Sequence, residues 1–230
     1  MSASQAGRIS VNGVELVADL SGVAFEPESA SLLVADLHFE KGSALASKGV
    51  FLPPYDTRAT LSRLAAAIAR YRPRQVIALG DSFHDSQAGQ RIHASDAEAL
   101  TALVASVDAW VWIEGNHDPA PPPRFGGQVT RQMTLGALTL RHDPLPGERP
   151  GEVAGHLHPC AKVRGRAGSV RARCFLSDGS RLIMPAFGAY TGGLNLRDAA
   201  YAPCFTIPPD AWVLGRSKVV RVSARRCLPD

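Results

Sequence analysis

A chain of 230 residues with 45% hydrophobic and 20% charged side chains is long enough for a sizeable core and has the balance of a globular protein, which excludes disordered and fibrous classes. No run of about 18 apolar residues occurs and residues 1–11 lack a leader-like apolar stretch, so no membrane partner and a cytoplasmic location are expected. The formal charge of +4 mildly favours polyanionic partners, and Cys160, Cys174, Cys204 and Cys227 form no C-x-x-C pair and read as reduced thiols.

Residues 14–20 and 24–25 predict a hairpin that turns at Ser21-Gly22. Residues 31–35 are apolar without alternation, as a strand buried on both faces would be, and Asp36 and His38 follow its C-terminal end, where open α/β sheets collect ligands. Residues 40–48 predict a short helix stopped by Gly49 and Pro53-Pro54. Asp56 is the expected N-cap of a longer helix with the apolar stripe Leu61, Leu64, Ala65, Ile68 and Tyr71, ended by Pro73. The buried strand at residues 76–79 then delivers Gly80-Asp81. After a polar loop with His84, Asp85 and His93, Ser95 and Glu98 match a capping box with Ser95 as N-cap. A strand at residues 109–113 leads into Gly115-Asn116-His117-Asp118.

Beyond the Pro-rich residues 119–123 the pattern becomes short strands, at 129–135, 137–141, 152–154, 170–176 and 181–184, then 204–207, 212–214 and 218–222. Two of these runs end in His142 and in the pair His156 and His158. With no internal repeat, a single domain over residues 1–230 is expected.

Asp36, His38, Asp81, Asn116, His142, His156 and His158 form a candidate metal-ligand set of imidazoles, carboxylates and one amide, with no thiolate. Such a set suits Mn, Fe or Zn. Residues two apart in an extended segment point the same way, which accounts for the Asp36-x-His38 and His156-x-His158 spacings. Two ions roughly 3.5 to 4 Å apart need a shared anionic ligand, and Asp81 is the candidate bridge. Asn116 would coordinate without cancelling more of the positive field. The expected chemistry is attack of a metal-bound hydroxide on a phosphoester, with His117, beside a ligand but outside the set, stabilising or protonating the leaving oxygen. A lone His at a strand end is usually structural and a lone Gly-Asp usually a turn. It is the placement of five of the seven histidines in such positions, with two Asp and one Asn, that carries the metal reading.

The ordered set D-x-H, GD, GNHD, H and GHLH between Asp36 and His158 resembles the calcineurin-like metallophosphoesterases. The resemblance implies an α/β fold, a sandwich of two mixed β-sheets flanked by helices. It also implies one metal at Asp36, His38, Asp81 and His158, a second at Asp81, Asn116, His142 and His156, and His117 as the acid. A narrower resemblance rests on DLHFEKG (residues 36–42), LPPYDT (52–57), LGDSFHD (79–85) and PAFGAYTGG (185–193). These segments are similar to the bacterial ligase-associated DNA-damage-response phosphoesterases, described as endonucleases. Membership there implies a phosphodiesterase or nuclease that uses two divalent ions, Mn2+ first and Zn2+ or Fe second, acts on DNA in repair, and works with a DNA ligase and a helicase. Two departures stand out. Many superfamily members carry GD-x-x-D, whose second Asp orients the catalytic His, but that position is His84 here, followed by Asp85. The usual His-Gly is His142-Asp143.

Arg164 and Arg166, with Arg171 and Arg173, alternate as two pairs that a hairpin would project from one face, a candidate track for a phosphate backbone or simply a charge-protected edge. Tyr190 and Asn195 in the Gly-rich late loop are further candidate substrate contacts. The rival readings are a phosphatase of nucleotides, phosphoproteins or other small phosphoesters, and a non-catalytic scaffold on the same fold. The intact His117 and complete ligand set favour catalysis.

Overall fold

The computed structural model describes residues 6–165 and 168–230. The first sheet runs in spatial order β1 (Gly7–Val11), β2 (Val14–Ala18), β3 (Ala24–Glu26), β4 (Ser31–Val34), β5 (Gln75–Leu79), β6 (Ala109–Ile113) and β7 (Gln128–Thr130). Its first four strands are antiparallel and β4 to β7 are parallel, so the connections after β4 and β5 must cross over and carry helices. These are α1 (Lys41–Ala46) and α2 (Asp56–Tyr71), then α3 (Ala88–Arg91) and α4 (Ala94–Val104).

The second sheet contains β8 (Gln132–Leu135), β9 (Leu138–Arg141), β10 (Glu152–Ala154), β11 (Pro159–Gly165), β12 (Gly168–Ser177), β13 (Leu182–Ile183), β14 (Leu194–Asn195), β15 (Asp210–Leu214), β16 (Val219–Ser223) and β17 (Cys227–Leu228). Its central order is β14-β11-β12-β13-β10-β9-β8; β15 joins at β12, β16 at β15, and β17 at β11. Both sheets are mixed, as anticipated.

Side-chain alternation sorts the apolar residues into three cores. Leu33, Ile77, Leu79, Val111 and Ile113 of the first sheet pack between the sheets against Leu138, Leu140, Val153, Phe175 and Leu182 of the second. The opposite face of β4 to β6, with Leu32, Val34, Val76, Ala78, Trp110 and Trp112, is covered by Leu61, Leu64 and Ile68 of α2 and Leu100 and Val104 of α4. Both faces of β4 are therefore buried, which is why its sequence shows no alternation. The outer face of the second sheet packs under Leu196, Tyr201, Cys204 and Cys227. All four cysteines are buried and unbridged, and among the described residues no helix is long and apolar enough to cross a membrane.

Several boundaries differ from expectation. Residues 129–135 are not one strand: the chain leaves the first sheet after Thr130 and enters the second at Gln132. Residues 204–207 form no strand, since the Cys204 carbonyl is turned to accept from Arg181 Nη1 at 2.7 Å. Residues 7–11 also form a strand, pairing with β2 across Asn12-Gly13, whose φ values of 50° and 82° suit a tight hairpin. The N-cap of α2 is Tyr55, because the Asp56 carboxylate is turned to accept the Gly42 N–H at 2.9 Å. Likewise His93 caps α4, its Nδ1 accepting from the Ser95 N–H, while the Ser95 hydroxyl accepts from Arg58 Nη2. The first helix is shorter than residues 40–48 and begins after Glu40, whose left-handed φ of 66° lies outside helical geometry.

The strand that leads to His156 and His158 is held by a buried ion pair. Arg181, 2% exposed, places Nη2 3.0 Å from Glu152 Oε1 and also donates to the carbonyls of Leu145, Gly147 and Cys204. Removing one partner of such a pair strands the other in low dielectric. Arg181→Met is therefore expected to lower stability by about 3–5 kcal/mol in urea unfolding, and adding Glu152→Gln should recover a large part of it. A double variant no more stable than the single one would refute the stranded-charge account.

Candidate metal centre

The parallel strands β4, β5 and β6 end side by side and deliver Asp36 and His38, Asp81, and Asn116 and His117 to one rim. The parallel pair β9 and β10 brings His142 and the His156 to His158 turn to the same rim from the second sheet. A parallel bridge between Ala35 and Ala186 closes the gap between the sheets. The loops are tied main chain to main chain: Asp36 N–H donates to Gly80 O at 3.2 Å, His38 N–H to Asp81 O at 2.9 Å, and Gly188 N–H to Asp36 O at 3.0 Å.

Local backbone conformation corrects one expectation. Asp36, His38, Asp81, His156 and His158 have φ of 54°, 45°, 46°, 68° and 47°, so the D-x-H and H-x-H pairs are not extended segments. Their side chains converge through left-handed turns, which non-glycine residues adopt at a cost. Two glycines permit the close approach. A Cβ at Gly115 would overlap the Asp81 amide and carboxylate, and one at Gly155 would lie 2.7 Å from Asp36 Oδ2.

The seven candidate ligands come together. Asp36, His38 and His158 form one group of converging donor atoms and Asp81, His142 and His156 another, each within 4.8 Å. His158 Nε2 is 3.2 Å from Asp36 Oδ1 and 3.4 Å from His38 Nε2. In the other group His142 Nε2 lies 3.1 Å from His156 Nδ1 and 2.9 Å from Asn116 Oδ1. The Asp81 carboxylate faces both: Oδ2 is 3.8 Å from His38 Nε2, and Oδ1 is 3.4 Å from His142 Nε2. His142 Nδ1 donates to Leu79 O at 3.0 Å; a carbonyl can only accept, so Nε2 is the atom presented to the centre.

His117 is oriented by the main chain. Its Nδ1–H donates to His84 O at 2.8 Å, its ring stacks on His84 at 5.1 Å, and its Nε2 points inward, 3.9 Å from Asp81 Oδ2. The residue at the divergent fifth position of GD-x-x-D thus orients His117 through its carbonyl oxygen. Asp118, not among the expected site residues, is 2% exposed and accepts from the Phe83 N–H at 3.0 Å, fastening the Asp81 turn to the Gly115–Asp118 turn. Its place in Gly115-Asn116-His117-Asp118 was the available signal.

The candidate substrate residues that the structure describes stand apart from the donor groups along a strand or are held by other groups of the fold. Arg164 stands exposed near the tip of the β11–β12 hairpin, six residues or roughly 20 Å of strand beyond His158. Arg166 lies outside the described residues. Arg171 is engaged with Asp230 and the Gly193 carbonyl, and Arg173 with the Ala186 carbonyl. The Tyr190 hydroxyl donates to Pro53 O at 2.7 Å. Asn195 is buried, with Nδ2 donating to Leu228 O and Oδ1 accepting from Arg197 N–H, so it holds the C-terminal segment.

The family model of the calcineurin-like phosphoesterases matches residues 31–173, more than half of the chain. The protein belongs to the calcineurin-like phosphoesterases. Among solved structures, the Pseudomonas putida nuclease MPE is 29% identical, with a TM-score of 0.72 over 94% of this chain and 100% of that one. Yfce, a phosphoesterase from E. coli, is 16% identical at a TM-score of 0.41, covering 84% of this chain and 98% of that one. No curated protein matches. The protein is a metal-dependent hydrolase of phosphoester bonds.

The donors of this calcineurin-like phosphoesterase fit divalent cations. Asp36 and Asp81 are 0% and 2% exposed, and their only ion-pair partners among the described residues are imidazoles. Buried carboxylates need a countercharge, which here is a proton or a metal. Without metal the proton sits on His142: burial opposes it, but the Asp81 bond and the charges of Asp36 and Asp81 outweigh burial and push its pKa up to about 9. His38, where burial outweighs the same carboxylates, falls to about 3. Burial, reinforced by the Asp81 charge, raises Asp118 to about 7. A ligand nitrogen must shed its proton to bind metal, so affinity should rise with pH toward 9. Asp36→Asn removes one of the charges that favour the protonated form and should lower the His142 pKa in an NMR titration of the metal-free protein. An unchanged or higher pKa would contradict this electrostatic account.

Proposed function

We propose that this calcineurin-like phosphoesterase is a two-metal nuclease that hydrolyses phosphodiester bonds in DNA. Its role would lie in DNA repair in the cytoplasm, alongside a DNA ligase and a helicase, with Mn2+ as the preferred ion and residues 1–230 forming one catalytic domain. The observation that carries the reading is the pair of donor groups joined through Asp81, with one carboxylate oxygen toward each. Asp36, His38, Asp81 and His158 would hold one ion, and Asp81, Asn116, His142 and His156 the other. Bound there, divalent ions polarise a phosphoryl oxygen and lower the pKa of water toward neutrality. The likeness to the Pseudomonas putida nuclease along nearly the whole chain favours a diester over a monoester.

The chain's own contribution to bond cleavage falls to His117. Its Nδ1–H is fixed on the His84 carbonyl and its main-chain N–H donates to Asp81 Oδ1 at 2.9 Å, so Nε2 is left to act. As the P–O bond breaks, Nε2–H passes its proton to the departing oxygen and the imidazole returns to its neutral form. The partly exposed ring, 41% accessible at its side chain, can meet a substrate that the buried His142 cannot.

Asp81→Asn should abolish most Mn2+-dependent hydrolysis of bis(p-nitrophenyl) phosphate, because it removes the carboxylate that turns one oxygen toward each group. Near-normal turnover in that variant would refute the two-metal mechanism. Asn116→Ala should weaken metal binding by calorimetry, whereas His117→Ala should retain it and slow turnover by about 10²–10⁴-fold. Equal metal loss in the two variants would undo this division of roles. Faster turnover of a phosphomonoester than of a diester and of nicked DNA would count against the nuclease reading.

A further inference from the structure

Among the described residues the large exposed hydrophobic side chains are concentrated in one place: Val50, Phe51, Leu52 and Tyr55 are four of nine, and Phe51 and Tyr55, 82% and 63% exposed, are the only aromatics in that set. They project from residues 47–55, the connection between α1 and α2. A run of exposed apolar side chains marks a contact surface.

This connection is rooted at the metal centre on both sides. Glu40, two residues after His38, donates its N–H to Thr57 Oγ1 at 2.9 Å and accepts the Thr57 hydroxyl at 2.9 Å, so the loop starts and ends beside the first ligand turn. Gly42 N–H on Asp56 Oδ2 repeats the tie one step further out. On its other flank Pro53 O accepts from Tyr190 OH, whose loop is bonded through Gly188 N–H to Asp36 O. The loop also carries the exposed cation Lys48.

Exposed aromatic rings beside a lysine, on a loop rooted at the rim of a metal centre, fit single-stranded nucleic acid, where cations track the backbone and rings stack on bases. We infer that Phe51 and Tyr55 form a base-stacking platform that engages unpaired nucleotides flanking the scissile phosphate. The inference rests on the nuclease reading and adds the form of substrate, a strand whose bases are free to turn out of a duplex. Neither ring is packed in the interior, and Tyr55 serves α2 through its backbone, so truncating both side chains leaves the fold intact.

The test compares the Mn2+-loaded wild type with Phe51→Ala/Tyr55→Ala. The probes are a labelled single-stranded phosphorothioate oligonucleotide and an abasic strand of the same length, with affinity read by fluorescence anisotropy. The wild type should prefer the base-bearing strand, and the double variant should lose that preference, by about tenfold for each stacked base. The ratio of kcat/KM for unmodified single-stranded DNA to that for methyl p-nitrophenyl phosphate should fall in parallel. Phe51→Trp should keep the preference and Phe51→Leu should lose it, separating stacking from apolar contact. If the wild type cleaves DNA and the double variant discriminates between the two strands as the wild type does, the platform is refuted while the nuclease reading stands. If the wild type neither binds nor cleaves DNA, the nuclease reading fails and the platform with it. A wild-type dimer that becomes a monomer in the double variant by light scattering, with the strand preference unchanged, would assign the patch to self-association and overturn the inference.

Discussion

The left-handed backbone at Asp36, His38, Asp81, His156 and His158 is the constraint on which the rest of the structure depends. Each such residue costs roughly 1–2 kcal/mol, so five cost on the order of 5–10 kcal/mol, comparable with the whole stability of a domain. Strain of that size persists only where the surroundings over-determine it. Here the surroundings are five parallel strand ends from two sheets and the main-chain bonds that lace the turns together. Residue chemistry lowers the cost, since Asp and His are among the side chains that enter the left-handed region most readily. The ligand types a borderline divalent metal prefers are thus also the types these turns can tolerate.

The same turns concentrate charge that the protein does not neutralise with its own cations. Asp36 and Asp81 face imidazoles instead of Lys or Arg, and the site distributes protons unevenly, holding one on His142 while emptying His38. An Arg in place of any of these histidines would satisfy the carboxylates permanently and close the site to metal. Imidazoles satisfy them reversibly, because each proton can leave when a cation arrives. Binding of metal and loss of protons are therefore one event in this fold.

What was legible in the sequence was chemistry and period. Apolar runs at the ends of β4, β5 and β6 located Asp36, Asp81 and Asn116, and the two mixed sheets followed from the motif set. Less legible was anything set by tertiary competition for a side chain. Asp56 and Ser95 have N-cap chemistry, but the Gly42 amide and Arg58 claim them. Residues 129–135 have an unbroken strand pattern, yet the two sheets need a crossing point and take it at Arg131. Arg171, Arg173 and Asn195 resemble substrate contacts until their partners Asp230, Ala186 and Leu228 are in view, partners between 13 and 59 residues away. The orienting group of His117 was beyond reach for another reason: it is a carbonyl oxygen, which every residue carries.

Charge is also divided along the chain in a way that bears on how a phosphate reaches the centre. Residues 159–230 hold twelve of the 25 Lys and Arg but four of the 21 Asp and Glu, so residues 1–158, which supply every candidate ligand, are net acidic. A polyanion approaching the metal-free rim meets two buried carboxylates and little compensating charge. In the proposed two-ion state the sign at that spot would reverse, because two divalent ions exceed the charge of Asp36 and Asp81 by two. On that reading metals, drawn by the acidic half, would bind first, and the loaded centre would then attract phosphate. The exposed Arg164 sits too far along β11 to substitute for them, since it lies roughly 20 Å of strand beyond His158 and the Debye length at physiological salt is about 8 Å.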